Sequence, residues 1–305
     1  MLIQILPTRL KSAIEKLDIN KITELRLRVG QACVIYYGNR FYLGSSGIVE
    51  SKEQALITTL QELQDIVFSA CEFSVYAHND ELKQGFVTLK NGIRLGICGE
   101  IVADKNTVKT IKNFSSLNIR IPHSIENCSL NILPYLYDDN NVYNTLIISP
   151  PGAGKTTMLR DLALQFSKKN IVDNILIVDE RNEIASMNGG ISQLNVGSNV
   201  DVYSSCSKQF GLINGIRTMS PQIIFLDELA TSQDLDALDY AIGSGVGIMA
   251  TVHSMNIYTL QQKPLFQNLL KAGVFDRFIV LSTRNGIGTI EGVFDKNNVC
   301  LFLGA

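Results

Sequence analysis

The sequence is poor in the residues that build metal and disulfide sites. It has six cysteines, no two of them in CxxC spacing, and only three histidines. Because a structural zinc site needs four closely spaced cysteine or histidine ligands, none is expected. Scattered cysteines of this kind are usually small buried apolar residues, and we expect that role for them.

The sequence also lacks a long apolar run. A helix that spans a bilayer needs about 20 consecutive apolar residues. The longest uncharged candidate, residues 241–252, is shorter and contains three glycines, so we expect core sheet and turn there. The first residues place Lys and Arg after a very short apolar segment, which is the reverse of a signal peptide. These features predict a cytoplasmic chain without direct membrane insertion.

Neither half of the chain has an excess of one charge. The 305 residues contain 27 Lys and Arg against 29 Asp and Glu; residues 1–140 carry 15 of each sign, and residues 141–305 carry 12 basic and 14 acidic. Phosphate contacts need clustered basic residues, so no nucleic-acid partner is expected. The hydrophobic share of 46% is ample for a packed core. The length predicts roughly two domains of about 150 residues each.

The first half has the pattern of a mixed α/β domain. Apolar residues from Leu56 to Ala70 recur at spacings of three and four, which predicts a helix. Asn91-Gly92 separates two alternating runs and predicts a hairpin. Short runs of strand-forming residues lie at 24–29, 33–37, 40–44 and 116–122. The polar segment 138–144 marks a boundary, which gives domains 1–141 and 142–305.

The second half has the pattern of a RecA-like, doubly wound α/β domain. Its strand-like runs are apolar without alternation, as expected for parallel strands covered on both faces. Helical stretches separate them, which favours a mainly parallel sheet. The runs lie at 145–149, 175–179, 223–227, 247–252 and 277–282.

A phosphate-binding loop follows the first of these runs. In this strand–loop–helix context, glycines let backbone N–H groups approach the β-phosphate. Lys155 is predicted to bridge the β- and γ-phosphates of ATP, and the Thr156 hydroxyl to ligate Mg²⁺. Ser149 stands where such loops usually begin with glycine. The loop consists of Ser149, Pro150, Pro151, Gly152, Ala153, Gly154, Lys155, Thr156 and Thr157.

Two acidic pairs end later strands. Asp227 is predicted to hold Mg²⁺, and Glu228 to orient the attacking water. Glu180 and Glu183, in the run DERNE, form a further acidic set beside the γ-phosphate. The alternative for Asp179 and Glu180 is a helix cap or a solvated turn.

The three histidines lie in different sequence contexts. His253 follows a strand-like run in the half that carries the phosphate loop, so it is expected to sense the γ-phosphate or touch a neighbouring subunit. The alternative for His253 is an ordinary surface or core histidine. That ordinary role is the one expected for His78 and His123.

These motifs, in this order, resemble those of the secretion-superfamily ATPases of type II and type IV secretion and of type IV pili. Over nearly the whole chain, the sequence resembles the stage III sporulation protein AA family. The segments that carry the likeness are ELRLRVGQ, FSVYAHNDELKQGFVTL, GIRLGICGEIV, SSLNIRIPHSI, SPPGAGKTTMLRDLA, VDERNEIA and MSPQIIFLDELAT.

The resemblance implies an oligomeric, hexameric ATPase that powers a transport channel between mother cell and forespore. Such a protein would dock from the cytoplasm onto membrane channel subunits. Arg94 and Arg120 match the arginines that secretion ATPases carry in the N-terminal domain toward the nucleotide. Taken alone, the two arginines are as consistent with solvated strand residues or surface ion pairs. Arg217, just before the Asp227 strand, is expected to pack against the acidic set.

Two other functions stay open. A non-hydrolytic switch or ring scaffold would use the same phosphate loop, but Glu228 would be dispensable. A RecA-like nucleic-acid translocase would share the core, although the balanced charge of both halves disfavours it.

Overall fold

A computed structural model describes residues 2–71, 78–89, 92–104, 107–122, 125–138 and 141–304. Contacts divide the chain into two units. The first is Met1–His123 together with Asn188–Gln193, and the second is Ser124–Met187 together with Leu194–Ala305. The division therefore falls at residue 123, whereas the polar segment 138–144 suggested residue 141.

The segment that follows residue 124 belongs to the second unit because of its side chains. Ile132, Leu133 and Leu136 are buried in the core of that unit. The Asp161 carboxylate, on the first long helix of the unit, accepts backbone N–H bonds of 2.8 Å from Asn127 and from Ser129. Within the predicted boundary segment 138–144, the described residues belong to this unit: the Asn141 N–H donates to Asp138 Oδ1 at 2.8 Å, and Tyr137 is bridged to Val142.

The first unit is built on an antiparallel sheet. Its described strands pair in the order β4-β3-β2-β1-β7-β6-β5. The strands are β1 Ile22–Arg28, β2 Val34–Tyr37, β3 Asn39–Gly44, β4 Gly47–Val49, β5 Phe86–Thr88, β6 Arg94–Asp104 and β7 Thr107–Arg120. The helices are α1 Leu2–Ile5, α2 Thr8–Ile14, α3 Leu60–Ala70 and α4 Asn79–Lys83.

The structure adds detail to the elements predicted for this unit. The predicted strands all exist, and the last is longer than expected. The predicted helix begins at Leu60 and not at Leu56, because Thr59 caps its first turn. β5 and β6 pair as the predicted hairpin arms, while Asn91 of the expected turn lies outside the described residues. The short elements α1, α2, α4 and β4 were not predicted.

The second unit holds a mainly parallel sheet. Its described strands pair in the order β12-β9-β13-β14-β8-β15-β16-β17, with the last two antiparallel. The strands of this sheet are β8 Thr145–Ser149, β9 Ile175–Asp179, β12 Val200–Ser204, β13 Ile223–Leu226, β14 Gly247–His253, β15 Arg277–Ser282, β16 Thr289–Asp295 and β17 Cys300–Leu303. Two short strands, β10 Met187–Asn188 and β11 Ile191–Ser192, form a separate two-stranded sheet, and β11 lies in the segment Asn188–Gln193 of the first unit. The helices are α5 Lys155–Lys168, α6 Lys208–Met219, α7 Ser232–Gly243, α8 Ile257–Gln261 and α9 Pro264–Lys271.

Helices cover this sheet on both faces, as its apolar strands predicted. Ile147, Ile177 and Phe225 pack into one buried cluster with α5. Their strand neighbours Ile148 and Val178 pack into the opposite cluster with α6 and α7. The predicted α/β fold class, with a mixed N-terminal unit and a mainly parallel P-loop unit, is confirmed.

The strand order brings separate sequence motifs to one edge. β8 lies between β14 and β15, and β14 in turn pairs with β13. Because these strands are parallel, their carboxyl ends all meet at the same edge of the sheet. The phosphate loop, the Asp227–Glu228 pair and His253 therefore share that edge.

Residues 241–252 end α7 and form the following turn and β14. Within the ranges described above, no helix is both long and apolar enough to cross a bilayer.

The cysteines are less uniformly buried than expected. Cys33 and Cys71 lie in the core of the first unit, where burial raises the pKa of the Cys71 thiol to about 11. Cys98 and Cys300 are exposed, so the expectation of buried apolar cysteines was wrong for these two. Both lie in strands with a solvated face.

Candidate nucleotide site

The loop after β8 has the backbone of a phosphate-binding loop. Gly152 and Gly154 have φ of +73° and +91°, and Gly154 caps the 14-residue helix α5. A Cβ at Gly152 would meet no atom within 4 Å, so the positive φ and not crowding requires glycine there. Ser149 ends the strand without positive φ, and its hydroxyl donates to the Pro150 carbonyl at 2.9 Å. Serine thus meets no conformational penalty at this position.

Lys155 and His253 face each other across this edge. Lys155 is only 7% exposed, and its Nζ lies 2.9 Å from Nδ1 and 3.2 Å from Nε2 of His253. The contact follows from register, since His253 is the β14 partner of Ser149. Burial lowers the pKa of Lys155, while the charges of Asp227 and Glu228 oppose this effect. The ammonium can only donate, so the imidazole nitrogen accepts.

Asp227 is held by three donors. Its Oδ2 accepts from Thr156 Oγ1 at 2.9 Å, and its Oδ1 accepts from Thr251 Oγ1 at 2.7 Å and from the Glu228 N–H at 2.9 Å. The Thr251 hydroxyl also accepts from the Glu228 N–H at 2.9 Å. Sequence reasoning did not assign Thr251 a role. Its position two residues before His253 puts both on one face of β14, and this was the signal available.

Thr156 and Asp227 fit the ligand chemistry of Mg²⁺. Their two oxygens lie 2.9 Å apart. Neighbouring vertices of an octahedron with bonds of about 2.05 Å are also about 2.9 Å apart. Proteins usually hold Mg²⁺ with one or two side chains plus phosphate and water, and not with a full cage. Consistent with that, the described residues contain no group of three His, Cys, Asp or Glu side chains arranged for a metal.

Glu228 has an unusual backbone and two charged neighbours. Its φ of +37° is rare for a side-chain-bearing residue, and such conformations concentrate at functional sites. The Oε2 atom pairs with Arg181 Nη1 at 2.8 Å, and Oε1 lies 3.7 Å from His253 Nε2. Lys155, His253, Glu228 and Arg181 therefore form a continuous chain of charged and polar groups.

The acidic run after β9 divides into residues with different surroundings. Asp179 is buried and accepts backbone N–H bonds of 2.8 to 2.9 Å from residues 183, 184 and 185. Burial raises the pKa of Asp179, although these three hydrogen bonds act in the opposite direction. Arg160 donates to the Glu183 carbonyl at 2.6 Å and to the Ile184 carbonyl at 2.5 Å. Asp179 thus holds a buried turn, which is neither the helix cap nor the solvated turn considered from the sequence, and this turn sets the backbone position of Glu183.

Glu180 is engaged by a lysine outside the phosphate loop. Its carboxylate pairs with the buried ammonium of Lys208, which also lies 3.9 Å from Asp234 Oδ1. These groups line a cavity of about 200 Å³ that Arg181 and Glu228 also border. The predicted contact of Glu180 with the γ-phosphate therefore gains no support from its partners.

The arginines singled out from the sequence lie in different places. Arg217 stacks over Tyr240, with Nε 3.3 Å from the phenol oxygen, so its predicted packing against the acidic set was wrong. Arg94 and Arg120 are direct partners across β6 and β7 in the first unit. The Arg94 guanidinium lies 3.8 Å from the centre of the Phe86 ring.

The fold and the strand-end site together define a P-loop protein with the fold of the secretion ATPases. The structure aligns with the ATPase DotB of Legionella pneumophila at a TM-score of 0.56 and 13% identity, over 86% of this chain and 72% of that one. It aligns with the pilus retraction motor PilT, solved with bound ADP, at a TM-score of 0.55 and 15% identity, over 88% of this chain and 76% of that one. At these identities the likeness concerns the fold.

The particular family follows from the sequence comparisons. A sequence model of the family described as "Sporulation stage III, protein AA" matches residues 1–301. The chain is also 36% identical to the stage III sporulation protein AA of Bacillus subtilis strain 168, over 96% of this chain and 94% of that protein. The chain therefore belongs to the stage III sporulation protein AA family, and the prediction made from the motifs is confirmed.

Proposed function

We propose that this protein hydrolyses ATP with Mg²⁺ and works as an oligomeric motor. One observation carries the proposal: Lys155, Thr156, Asp227, Glu228 and His253 converge at the carboxyl edge of the parallel sheet, around a glycine loop that begins a long helix. Each of these groups has the chemistry that phosphoryl transfer needs.

The residues would act on different parts of the nucleotide. Backbone N–H groups of residues 152–157 and the positive end of α5 would hold the β-phosphate. The Lys155 ammonium would exchange its His253 partner for phosphate oxygens, which accept more strongly because they are charged. His253 would then contact the γ-phosphate.

Glu228 would orient the attacking water and accept its proton. For this the carboxylate must leave Arg181, whose guanidinium now engages it. Bound Mg²⁺ would neutralise charge on the phosphate oxygens, and Thr156 and Asp227 would hold the ion. Glu183 and Glu180 are the further acidic candidates.

The biological setting is proposed from the family. The protein would form a homo-oligomer, a ring of six copies, on the cytoplasmic side of a membrane complex. It would energise a transport channel between mother cell and forespore by acting on the membrane subunits of that channel. Arg94 and Arg120 of the first unit would supply positive charge to the γ-phosphate, which is worth roughly 10³–10⁵ in rate in other NTPases.

The test separates binding from hydrolysis in the purified full chain. Lys155→Ala should abolish ATP binding and turnover. Glu228→Gln should still bind ATP, with turnover lowered about a hundredfold or more. Lys168→Ala on the same helix and Glu126→Gln, which form an exposed ion pair with each other at 2.8 Å, are matched controls and should change neither. Unchanged turnover in Glu228→Gln would contradict the assignment of this residue.

A nucleotide-dependent switch or scaffold is a second candidate. The Arg181–Glu228 ion pair favours it, because the carboxylate needed for hydrolysis is occupied. The two functions separate in an endospore-forming host that carries Lys155→Ala or Glu228→Gln as its only copy. A motor requires both residues for spore formation, whereas a switch requires only the lysine.

A further inference from the structure

The turn between β15 and β16 lies against the phosphate loop. The Gly288 N–H donates to the Ala153 carbonyl at 3.2 Å. At Gly154, the space that a Cβ would occupy is 3.4 Å from Ile287 Cγ2. Ile287 therefore sits beside the start of α5, where a bound nucleotide would lie.

Ile287 is 75% exposed although its turn is well tied down. The Gly286 N–H donates to the Thr283 carbonyl at 3.2 Å, and Thr289 Oγ1 donates to the Gly286 carbonyl at 2.7 Å. Single exposed apolar residues are common on protein surfaces. Ile287 differs because its own turn is bonded to the phosphate loop, so its side chain is held in the solvent next to that loop.

The strand order fixes which end of a nucleotide would face this turn. Glu228 follows β13 and His253 ends β14, both on one side of β8, and under the proposed function they mark the γ-phosphate end. β15 lies on the other side of β8. Because a nucleoside triphosphate is an extended molecule, its base leaves the phosphate loop on the side away from the γ-phosphate. That side carries Ile287.

We propose that Ile287 is an apolar platform for the purine base of the nucleotide. This rests on the proposed function and deepens it by assigning the base subsite. The aliphatic side chain covers one face of the ring through dispersion and apolar contact. It makes no hydrogen bond with the ring edge, so adenine and guanine nucleotides should depend on it alike.

Two other exposed apolar residues lie near His253, on the other side of β8 from Ile287. Met255 and Tyr258 are 65% and 69% exposed and lie two and five residues after His253 in the chain. They adjoin the γ-phosphate end, where the base does not belong under this proposal. Leu303 is 75% exposed, equal to Ile287, and lies on the edge strand β17. Met255→Ala and Leu303→Ala are thus matched controls.

Calorimetry with ATP, GTP and inorganic tripolyphosphate, all with Mg²⁺, tests the proposal on the full chain. Tripolyphosphate reports on the phosphate loop alone, since it has no base. Ile287→Ala should weaken ATP and GTP binding about tenfold and leave tripolyphosphate binding unchanged. Ile287→Val should retain most of the nucleotide affinity, and both controls should bind all three ligands as the wild type does.

Several outcomes would overturn the proposal. These are unchanged ATP affinity in Ile287→Ala, an equal loss of ATP and tripolyphosphate, or a selective loss of ATP in Met255→Ala. The proposed function fails separately, if wild-type protein binds neither ATP nor tripolyphosphate or if Lys155→Ala binds them as tightly as wild type.

Discussion

At the residue scale, Thr251 connects the two acidic residues of the site. Its hydroxyl donates to Asp227 and accepts from the backbone N–H of Glu228. It is fully buried, so neither contact is replaced by water when the hydroxyl is lost. The bond from the Glu228 N–H to the Thr251 hydroxyl supports the positive φ of Glu228. Thr251 is therefore a positioning residue for the Glu228 carboxylate.

Thr251→Val should lower ATP turnover about tenfold or more while ATP still binds. The reason is that Asp227 loses one donor and the Glu228 N–H loses one acceptor. Thr145→Val is the matched control: Thr145 is a buried threonine of the neighbouring strand, and among the described residues its hydroxyl bonds only the Tyr143 carbonyl, at 2.8 Å. Both variants should lose about 1–2 kcal/mol in the free energy of unfolding. Equal turnover in the two would refute a special role for Thr251.

At the element scale, the start of α3 is stabilised by a capping box within the helix and by a contact with a residue far away in the sequence. Thr59 and Glu62 form a capping box, with bonds of 3.2 Å and 2.9 Å between side chains and backbone N–H groups. This Thr-x-x-Glu signature is local, so it was available from the sequence. Arg9 also contacts Glu62 with two bonds, of 3.0 Å and 2.8 Å. That contact joins α2 to α3 and depends on the tertiary fold.

Glu62→Gln should lower the free energy of unfolding by about 1 kcal/mol at pH 7. Burial raises the pKa of Glu62, but the hydrogen bonds from Arg9 and Thr59 outweigh burial and leave the pKa lowered. The carboxylate therefore stabilises the fold above the unfolded pKa of about 4.3. This contribution is lost as pH falls through the lower folded value.

Urea unfolding at pH 7 and at successively lower pH measures this effect. The exposed acid Asp65 of the same helix provides the control Asp65→Asn, which should stay within about 0.5 kcal/mol of wild type. If the difference in the free energy of unfolding between wild type and Glu62→Gln does not shrink as the pH falls, the charge of Glu62 is not the source of the stabilisation.

At the scale of the whole molecule, the two units differ in kind. The first is an antiparallel sheet with a solvated face, and the second is a parallel sheet covered on both faces by buried clusters. Only the second contains the phosphate loop, so the proposed nucleotide chemistry belongs there. The first contains the arginine pair Arg94 and Arg120, which face each other across β6 and β7.

A mass measurement with and without ATP and Mg²⁺ tests assembly. If the protein is a ring motor, wild-type protein and Glu228→Gln should shift to six copies of the chain with the nucleotide. The mass of Lys155→Ala should not shift, because this variant does not bind ATP. A monomer under every condition would contradict the ring, and a shift in Lys155→Ala would show that assembly is independent of the nucleotide.

The sequence by itself determined most of the central strands, the phosphate loop and the residue types of the site, but not the strands β4, β12, β16 and β17 at the sheet edges. Continuous apolar runs, glycine spacing and acidic strand ends are local signals, because they reflect burial and backbone geometry at each position. Only the tertiary structure decided the partners: Lys155 with His253, Asp227 with Thr251, Glu228 with Arg181, and Glu180 with Lys208. Those contacts depend on strand order and register, which bring residues tens of positions apart to one sheet edge. No local sequence pattern encodes that order, so the residue types of the site follow from the sequence, whereas their contacts follow only from the tertiary fold.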